Sequence, residues 1–123
     1  MTKTQPTVLV VEDEAGLLEI ISLHLIRDGC RVVTATDGLQ AWRLFEAEQP
    51  DLVVLDLRLP KVSGARVLEW IRDGSDVPVI VLTAFDFAEA EHVAHLRPND
   101  FVKKPFEARD LLRRVRFLLG GEE

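Results

Sequence analysis

A chain of 123 residues, 47% of them hydrophobic, is long enough to bury one core and too short for several, so we expect a single domain over residues 1–123. A formal net charge of -6 argues against direct nucleic-acid binding, because a phosphate backbone attracts a basic footprint. No apolar run approaches the ~20 residues of a bilayer crossing, and "MTKTQPT" lacks an apolar signal core, which together point to a soluble cytoplasmic protein with no membrane partner.

In chain order, "TVLVV" (Thr7 to Val11) is the first of several runs that stay apolar rather than alternating, the pattern of a strand covered on both faces. It runs into Glu12-Asp13. Glu14 to Asp28 then carries Leu18, Ile21 and Leu25 at helical spacing and stops at Gly29, a natural C-terminal cap. The lone Cys30 cannot close an internal disulfide or a thiolate cluster and reads as a buried structural thiol. "RVVTA" (Arg31 to Ala35) is a second strand, and Asp37-Gly38 opens a helix with Ala41, Leu44 and Phe45 that ends before Pro50. "LVVL" (Leu52 to Leu55) runs into Asp56.

Ser63 is placed to cap a third helix, with Val67, Leu68 and Ile71 turned inward and Asp73-Gly74 closing it. "VPVIVLT" (Val77 to Thr83) is the fourth strand. The fourth helix, roughly Asp86 to Leu96, has the poorest apolar side, Ala88, Val93, Ala94 and Leu96, and Pro98 stops it; it should be the least firmly held element. A weaker strand, "DFVKK" (Asp100 to Lys104), precedes a last helix from Phe106 to about Leu119 that buries Leu111, Leu112, Val115, Leu118 and Leu119. The terminal "GGEE" should fray.

Five strands alternating with five helices specify an α/β fold, a doubly wound five-stranded parallel sheet with right-handed crossovers. Ligands of such open sheets sit outside the carboxyl ends of the strands, where Glu12, Asp13, Asp56, Thr83 and Lys104 converge. Carboxylates that close repel one another unless a cation lies between them, and an oxygen-only set suits a hard ion such as Mg2+. Lys104 supplies a charge for a phosphoryl oxygen and Thr83 a short donor that can reorient. An aspartate can itself hold a phosphoryl group as an acyl phosphate, and Asp56 reads as that acceptor.

Taken singly, these residues have plainer readings: Asp13 as a helix cap, Thr83 as a strand threonine, Asp56 as a turn residue, Lys104 as a solvated lysine and Phe101 as a sheet aromatic. Their joint placement overrides those readings. His24, His92 and His95 have no carboxylate or serine partner at a recognisable spacing and read as surface or helix-edge residues, and Trp42 and Trp70 read as helix-face packing groups.

The set formed by Glu12-Asp13, Asp56 in "LDLRLP", Thr83-Ala84 in "VLTA" and Lys104-Pro105 in "KKPF" resembles the receiver domain of two-component response regulators over essentially the whole chain. The resemblance implies a flavodoxin-like sheet of order 2-1-3-4-5 and phosphorylation of Asp56 by a partner histidine kinase. It implies Mg2+ held by Asp13, Asp56 and the backbone carbonyl of Arg58, with Glu12 acting through a water. Thr83 and Lys104 would bind the phosphoryl oxygens. Thr83 would then move, and Phe101 would fill the space it leaves, remodelling the surface of helix four, strand five and helix five. The Lys104-Pro105 bond would be cis, and the domain would catalyse only its own phosphorylation and dephosphorylation.

The last helix, "FEARDLLRRVRFLL", resembles that of the winged-helix transcription-factor subfamily of OmpR/PhoB type, which implies a phosphorylation-dependent homodimer through Asp100, Asp110 and Arg114. The match has gaps, since helix four offers no lysine for Asp110 and Gly121 stands at a position where an arginine is common. Phe85 and Phe87 also replace more polar residues, and paired aromatics there suit a contact surface or a cover over the phosphate. Three other readings compete. A haloacid-dehalogenase-like phosphotransferase or phosphatase wants a second acid where Arg58 stands, and a nucleotide or flavin module wants a Gly-rich loop where "VEDEAG" stands. A pseudo-receiver, a protein-interaction module that is never phosphorylated, would not need the full acidic, hydroxyl and lysine set.

Overall fold

The computed structural model describes residues 5–84 and 87–120. Strands and helices alternate as β1 (Thr7–Val11), α1 (Ala15–Arg27), β2 (Arg31–Ala35), α2 (Gly38–Glu48), β3 (Leu52–Asp56), α3 (Gly64–Arg72), β4 (Val79–Thr83), α4 (Phe87–Ala94), β5 (Asp100–Lys103) and α5 (Ala108–Leu118). The strands form one parallel sheet in the order β2-β1-β3-β4-β5. The central strands β1, β3 and β4 are buried at every position, whereas β2 and β5, at the edges, are partly exposed. That difference is the physical origin of the continuous apolar runs in the centre and the weaker pattern of β5.

Side chains alternate across the sheet and feed two core layers. Leu9, Val11, Val53, Leu55, Val79 and Val81 pack against α2, α3 and Val93 of α4. Val8, Val10, Leu52, Val54, Ile80, Leu82 and Val102 pack against Ile21 and Leu25 of α1 and Leu111 and Val115 of α5. Each such side chain contributes roughly 1.5–3 kcal/mol through burial, which is what fixes the register. Cys30 is buried in the second layer, and that burial pushes its thiol up from the usual range.

The expected caps form at α2 and α3: Asp37 accepts from the Gln40 N–H at 2.7 Å and Ser63 from the Arg66 N–H at 3.2 Å. Gly29 takes φ 96, the left-handed value that ends α1. Asp13 does not cap α1, because Glu14 holds the cap position and makes no side-chain hydrogen bond there.

Other boundaries shift for local reasons. β4 starts at Val79 instead of Val77, since Pro78 has no N–H to pair. Helix α4 ends at Ala94, and Leu96 and Arg97 continue as a turn that closes with Arg97 at φ 56. Val93 of α4 is buried and Leu96 half-buried, but Ala88 and Ala94 face solvent, so the inward side is narrower than expected. On α5, Leu111 and Val115 are buried and Leu112, Leu118 and Leu119 only half-buried. Trp42 and Trp70 pack α2 against α3, with ring centroids 5.5 Å apart. Phe85, Asp86, the side chain of Phe87 and residues 121–123 lie outside the described residues. No helix among the described residues is long and apolar enough to cross a membrane.

The loop leaving β3 is gripped at two glycines. A Cβ on Gly38 would sit 2.0 Å from the Val62 carbonyl oxygen, and one on Gly64 would sit 2.1 Å from that of Asp56. The N-terminus of α3 thus lies directly on the end of β3, where the Gly64 N–H donates to the Leu57 carbonyl at 2.9 Å. A Gly64→Ala substitution is expected to lower the unfolding free energy by about 1–3 kcal/mol in urea titrations, because backbone has to yield.

Arg116 of α5 bonds both Asp28 carboxylate oxygens, at 2.6 and 2.8 Å, and this bridge holds the Asp28 carboxyl below the usual carboxylate range. A folded-state value below the unfolded one stabilises above the unfolded pKa of about 3.9 and loses that effect as the pH falls through the folded value. Arg116→Ala is therefore expected to cost under about 1 kcal/mol at pH 7, the range of an exposed pair, with the difference from wild type closing in acid denaturation series below about pH 4.

Candidate functional site

Parallel pairing aligns the strand ends. Asp56 lies level with Leu82 and Thr83 level with Lys103, so the residues after β1, β3, β4 and β5 emerge on one rim. The Glu12 N–H still pairs with the Ala35 carbonyl at 3.0 Å and the Lys104 N–H with that of Thr83 at 2.7 Å, which carries sheet geometry into the site. The Lys104-Pro105 peptide bond is cis.

Glu12, Asp56 and Thr83 are buried, Lys104 is half-buried and Asp13 is exposed at the rim. One carboxylate oxygen from each of Glu12, Asp13 and Asp56 lies within 4.8 Å of the others. The Lys104 ammonium sits between two of them, 2.9 Å from Asp56 Oδ2 and 2.8 Å from Glu12 Oε1. Asp56 Oδ1 accepts from the Arg58 N–H at 3.1 Å, and Glu12 Oε2 from the Glu14 N–H at 3.1 Å. Glu12 Oε1 has the ammonium beside it as an ion contact but takes no aligned hydrogen bond, leaving it a buried oxygen with unused acceptor capacity.

Burial drives the Glu12 carboxyl above its usual range; its contact with Lys104 opposes the rise, and the charge on Asp56 adds to it. Burial also works against charge on Lys104, but its contacts with Glu12 and Asp56 together outweigh that and hold the ammonium above the ordinary lysine range. Three carboxylates against one ammonium leave a net negative pocket. The donors are all oxygen, one is a buried oxygen with spare acceptor capacity beside the ammonium, and Asp13 faces solvent, so the residues fit a hard divalent ion such as Mg2+.

Glu12, Asp13, Asp56 and Lys104 therefore meet at the strand ends, and Thr83 joins them through its carbonyl, which takes the Lys104 N–H, while its hydroxyl turns to Glu89. Two others went unrecognised in the sequence. Glu89 of α4 accepts the Thr83 hydroxyl at 2.9 Å with Oε1 and the Arg58 Nε–H at 3.2 Å with Oε2. Arg72 of α3 donates to the carbonyls of Ser75, Val77, Leu96 and Arg97 and to Asn99 Oδ1, fastening the α4–β5 turn to α3 and the loop that precedes β4. Neither has a motif; a carboxylate and a guanidinium on helices read as solvated groups until their partners are placed.

Phe101 is 37% exposed on edge strand β5. Asp100, Asp110 and Arg114 are partners inside one chain: Arg114 reaches Asp100 Oδ1 at 2.6 Å and Asp110 Oδ2 at 3.1 Å, and Arg113 also contacts Asp110. The bond to Asp100, ahead of that to Asp110, holds the Arg114 guanidinium above its usual range.

Residues 8–116 match the family described as response regulator receiver domain. The chain is 43% identical over 118 residues to the probable transcriptional regulator ycf27 of Guillardia theta, a match covering 95% of this chain and 46% of that protein. It is 40% identical to the sensory transduction protein RegX3 of Mycobacterium bovis, covering 95% of this chain and 53% of that one. It thus spans about half the length of these curated relatives. Among solved structures, the receiver domain of the sensor histidine kinase PA1611 from Pseudomonas aeruginosa PAO1, with a magnesium ion coordinated in its active-site cleft, superposes with a TM-score of 0.85 at 30% identity, covering 95% of this chain and 99% of that one. The non-phosphorylated HemR receiver domain from Leptospira biflexa gives 0.86 at 33% identity, covering 97% and 98%.

Removing the ammonium leaves two buried carboxylates facing each other. Lys104→Met is expected to destabilise the protein in EDTA by about 1.5–3 kcal/mol at neutral pH, measured by chemical denaturation, the range for hydrogen bonds to charged groups.

Proposed function

Because this chain belongs to the response regulator receiver domain family, we propose that it is a phosphoacceptor switch in which Asp56 takes a phosphoryl group from a histidine kinase in a Mg2+-dependent reaction. The observation that carries this reading is the Lys104 ammonium seated against Asp56 and Glu12 with Asp13 alongside. Asp13, Asp56 and the Arg58 carbonyl are the proposed ligands of the ion, with Glu12 acting through a water. When bound, the ion supplies positive charge against the phosphoryl oxygens.

The chain's own groups do the rest. An Asp56 oxygen attacks phosphorus in line as the bond to the kinase imidazole nitrogen breaks and the imidazole leaves. Lys104 neutralises charge on the oxygens in flight, and burial of Asp56 keeps competing water away. Thr83 then turns its hydroxyl to the phosphoryl group, and Phe101, half out on β5, turns into the space released. The surface of α4, β5 and α5 changes shape, turning a charge event into a packing event.

The names of the longer relatives bring transcription regulation to this chain as a proposal, with residues 1–123 as its cytoplasmic receiver domain and DNA contact left to another part of such a protein. For the activated form we propose a homodimer in which Asp100, Asp110 and Arg114 exchange their partners within one chain for partners across the interface.

Acetyl phosphate with Mg2+ is expected to label the wild type, and Asp56→Asn is expected to take no label; undiminished labelling of the variant would place the acceptor elsewhere. No labelling of either protein would favour the pseudo-receiver. Sedimentation with beryllofluoride and Mg2+ is expected to show a dimer where the untreated protein runs as a monomer, and Arg114→Ala to remove that shift.

A further inference from the structure

We propose that Glu89 is a resting-state latch, a positioning residue whose carboxylate holds the two side chains, Thr83 and Arg58, that an incoming phosphoryl group has to win. The proposal rests on the phosphoacceptor reading of Asp56. Glu89 lies in the first turn of α4, where a negative charge is favoured by the helix dipole. Its Oε1 takes the Thr83 hydroxyl at 2.9 Å, and its Oε2 takes the Arg58 Nε–H at 3.2 Å.

Geometry makes the choice exclusive at Thr83. A hydroxyl has one proton to donate, so it cannot serve Glu89 and a phosphoryl oxygen together. Thr83 is almost wholly buried at the end of β4, where a lost acceptor is costly unless another replaces it. A phosphoryl oxygen is such a replacement. Arg58 couples the two positions directly, because its N–H holds Asp56 Oδ1 at 3.1 Å while its side chain holds Glu89.

The exchange has a mechanical consequence. Once Thr83 and Arg58 turn to the phosphoryl group, the N-terminal turn of α4 loses both contacts and gains repulsion from the new charge. The far end of the helix stays fastened, since Val93 is buried and Arg72 grips the Leu96 and Arg97 carbonyls. Helix α4 then swings about its C-terminal end. The latch sets how readily the switch is thrown.

The test is calorimetric titration of beryllofluoride, with Mg2+ present, into the wild type, Glu89→Ala and a control, Glu91→Ala, on the exposed part of the same helix. Loss of one competing hydrogen bond of ordinary strength is expected to tighten binding in Glu89→Ala on the order of fivefold, with the control unchanged. The Thr83 methyl resonance of Glu89→Ala, without beryllofluoride, is expected to move toward its position in the beryllofluoride-bound wild type. Equal or weaker binding by Glu89→Ala beside a wild type that binds overturns the latch alone. A wild type that does not bind overturns the phosphoacceptor reading and the latch with it.

Discussion

One ammonium between two buried carboxylates organises this molecule. Lys104 touches Asp56 and Glu12 at hydrogen-bond distance, and no other cation is in contact with either acid among the described residues. Burying such charges is costly unless they are paired, and one lysine cannot satisfy three acids. The rim is therefore held short of positive charge, which costs stability and suits a divalent ion. The fold supplies the stability that offsets this. Central strands covered on both faces, two core layers and a β3 exit gripped by Gly38 and Gly64 keep Asp56 where the ammonium can reach it.

The same arrangement links chemistry to shape. Asp56, Arg58, Glu89 and Thr83 form a chain of contacts from the proposed acceptor to the first turn of α4. Arg72 makes the second anchor, at the other end of that helix. Between them, among the described side chains, α4 buries little besides Val93, which fits the expectation that this helix is weakly held. On the neighbouring face, Arg114 spans Asp100 on β5 and Asp110 on α5, so any rearrangement there begins from ion pairs already made within the chain.

Much of this was legible in the residues alone. Continuous apolar runs marked β1, β3 and β4 because those strands are covered on both sides, and Asp37, Ser63 and Gly29 marked helix ends because each solves a local hydrogen-bonding or backbone problem. The site was legible because parallel strands deliver their ends to one edge. What escaped were groups defined by distant partners: Glu89 by a threonine six residues before it, and Arg72 by carbonyls up to 25 residues on. Ala88 and Ala94 misled because a small apolar side chain fits a core or a surface equally well. The plain reading of Asp13 as a helix cap, already outweighed by its neighbours, is also excluded by the cap position of Glu14.

Mg2+ titration followed by amide NMR is the most direct test of a divalent-ion site formed by Glu12, Asp13 and Asp56 at the strand edge. Saturable one-to-one shifts concentrated at Glu12, Asp13 and Asp56 to Arg58 are expected, with their loss in Asp13→Asn. Shifts scattered over the acidic surface, with none focused at these positions, would contradict it.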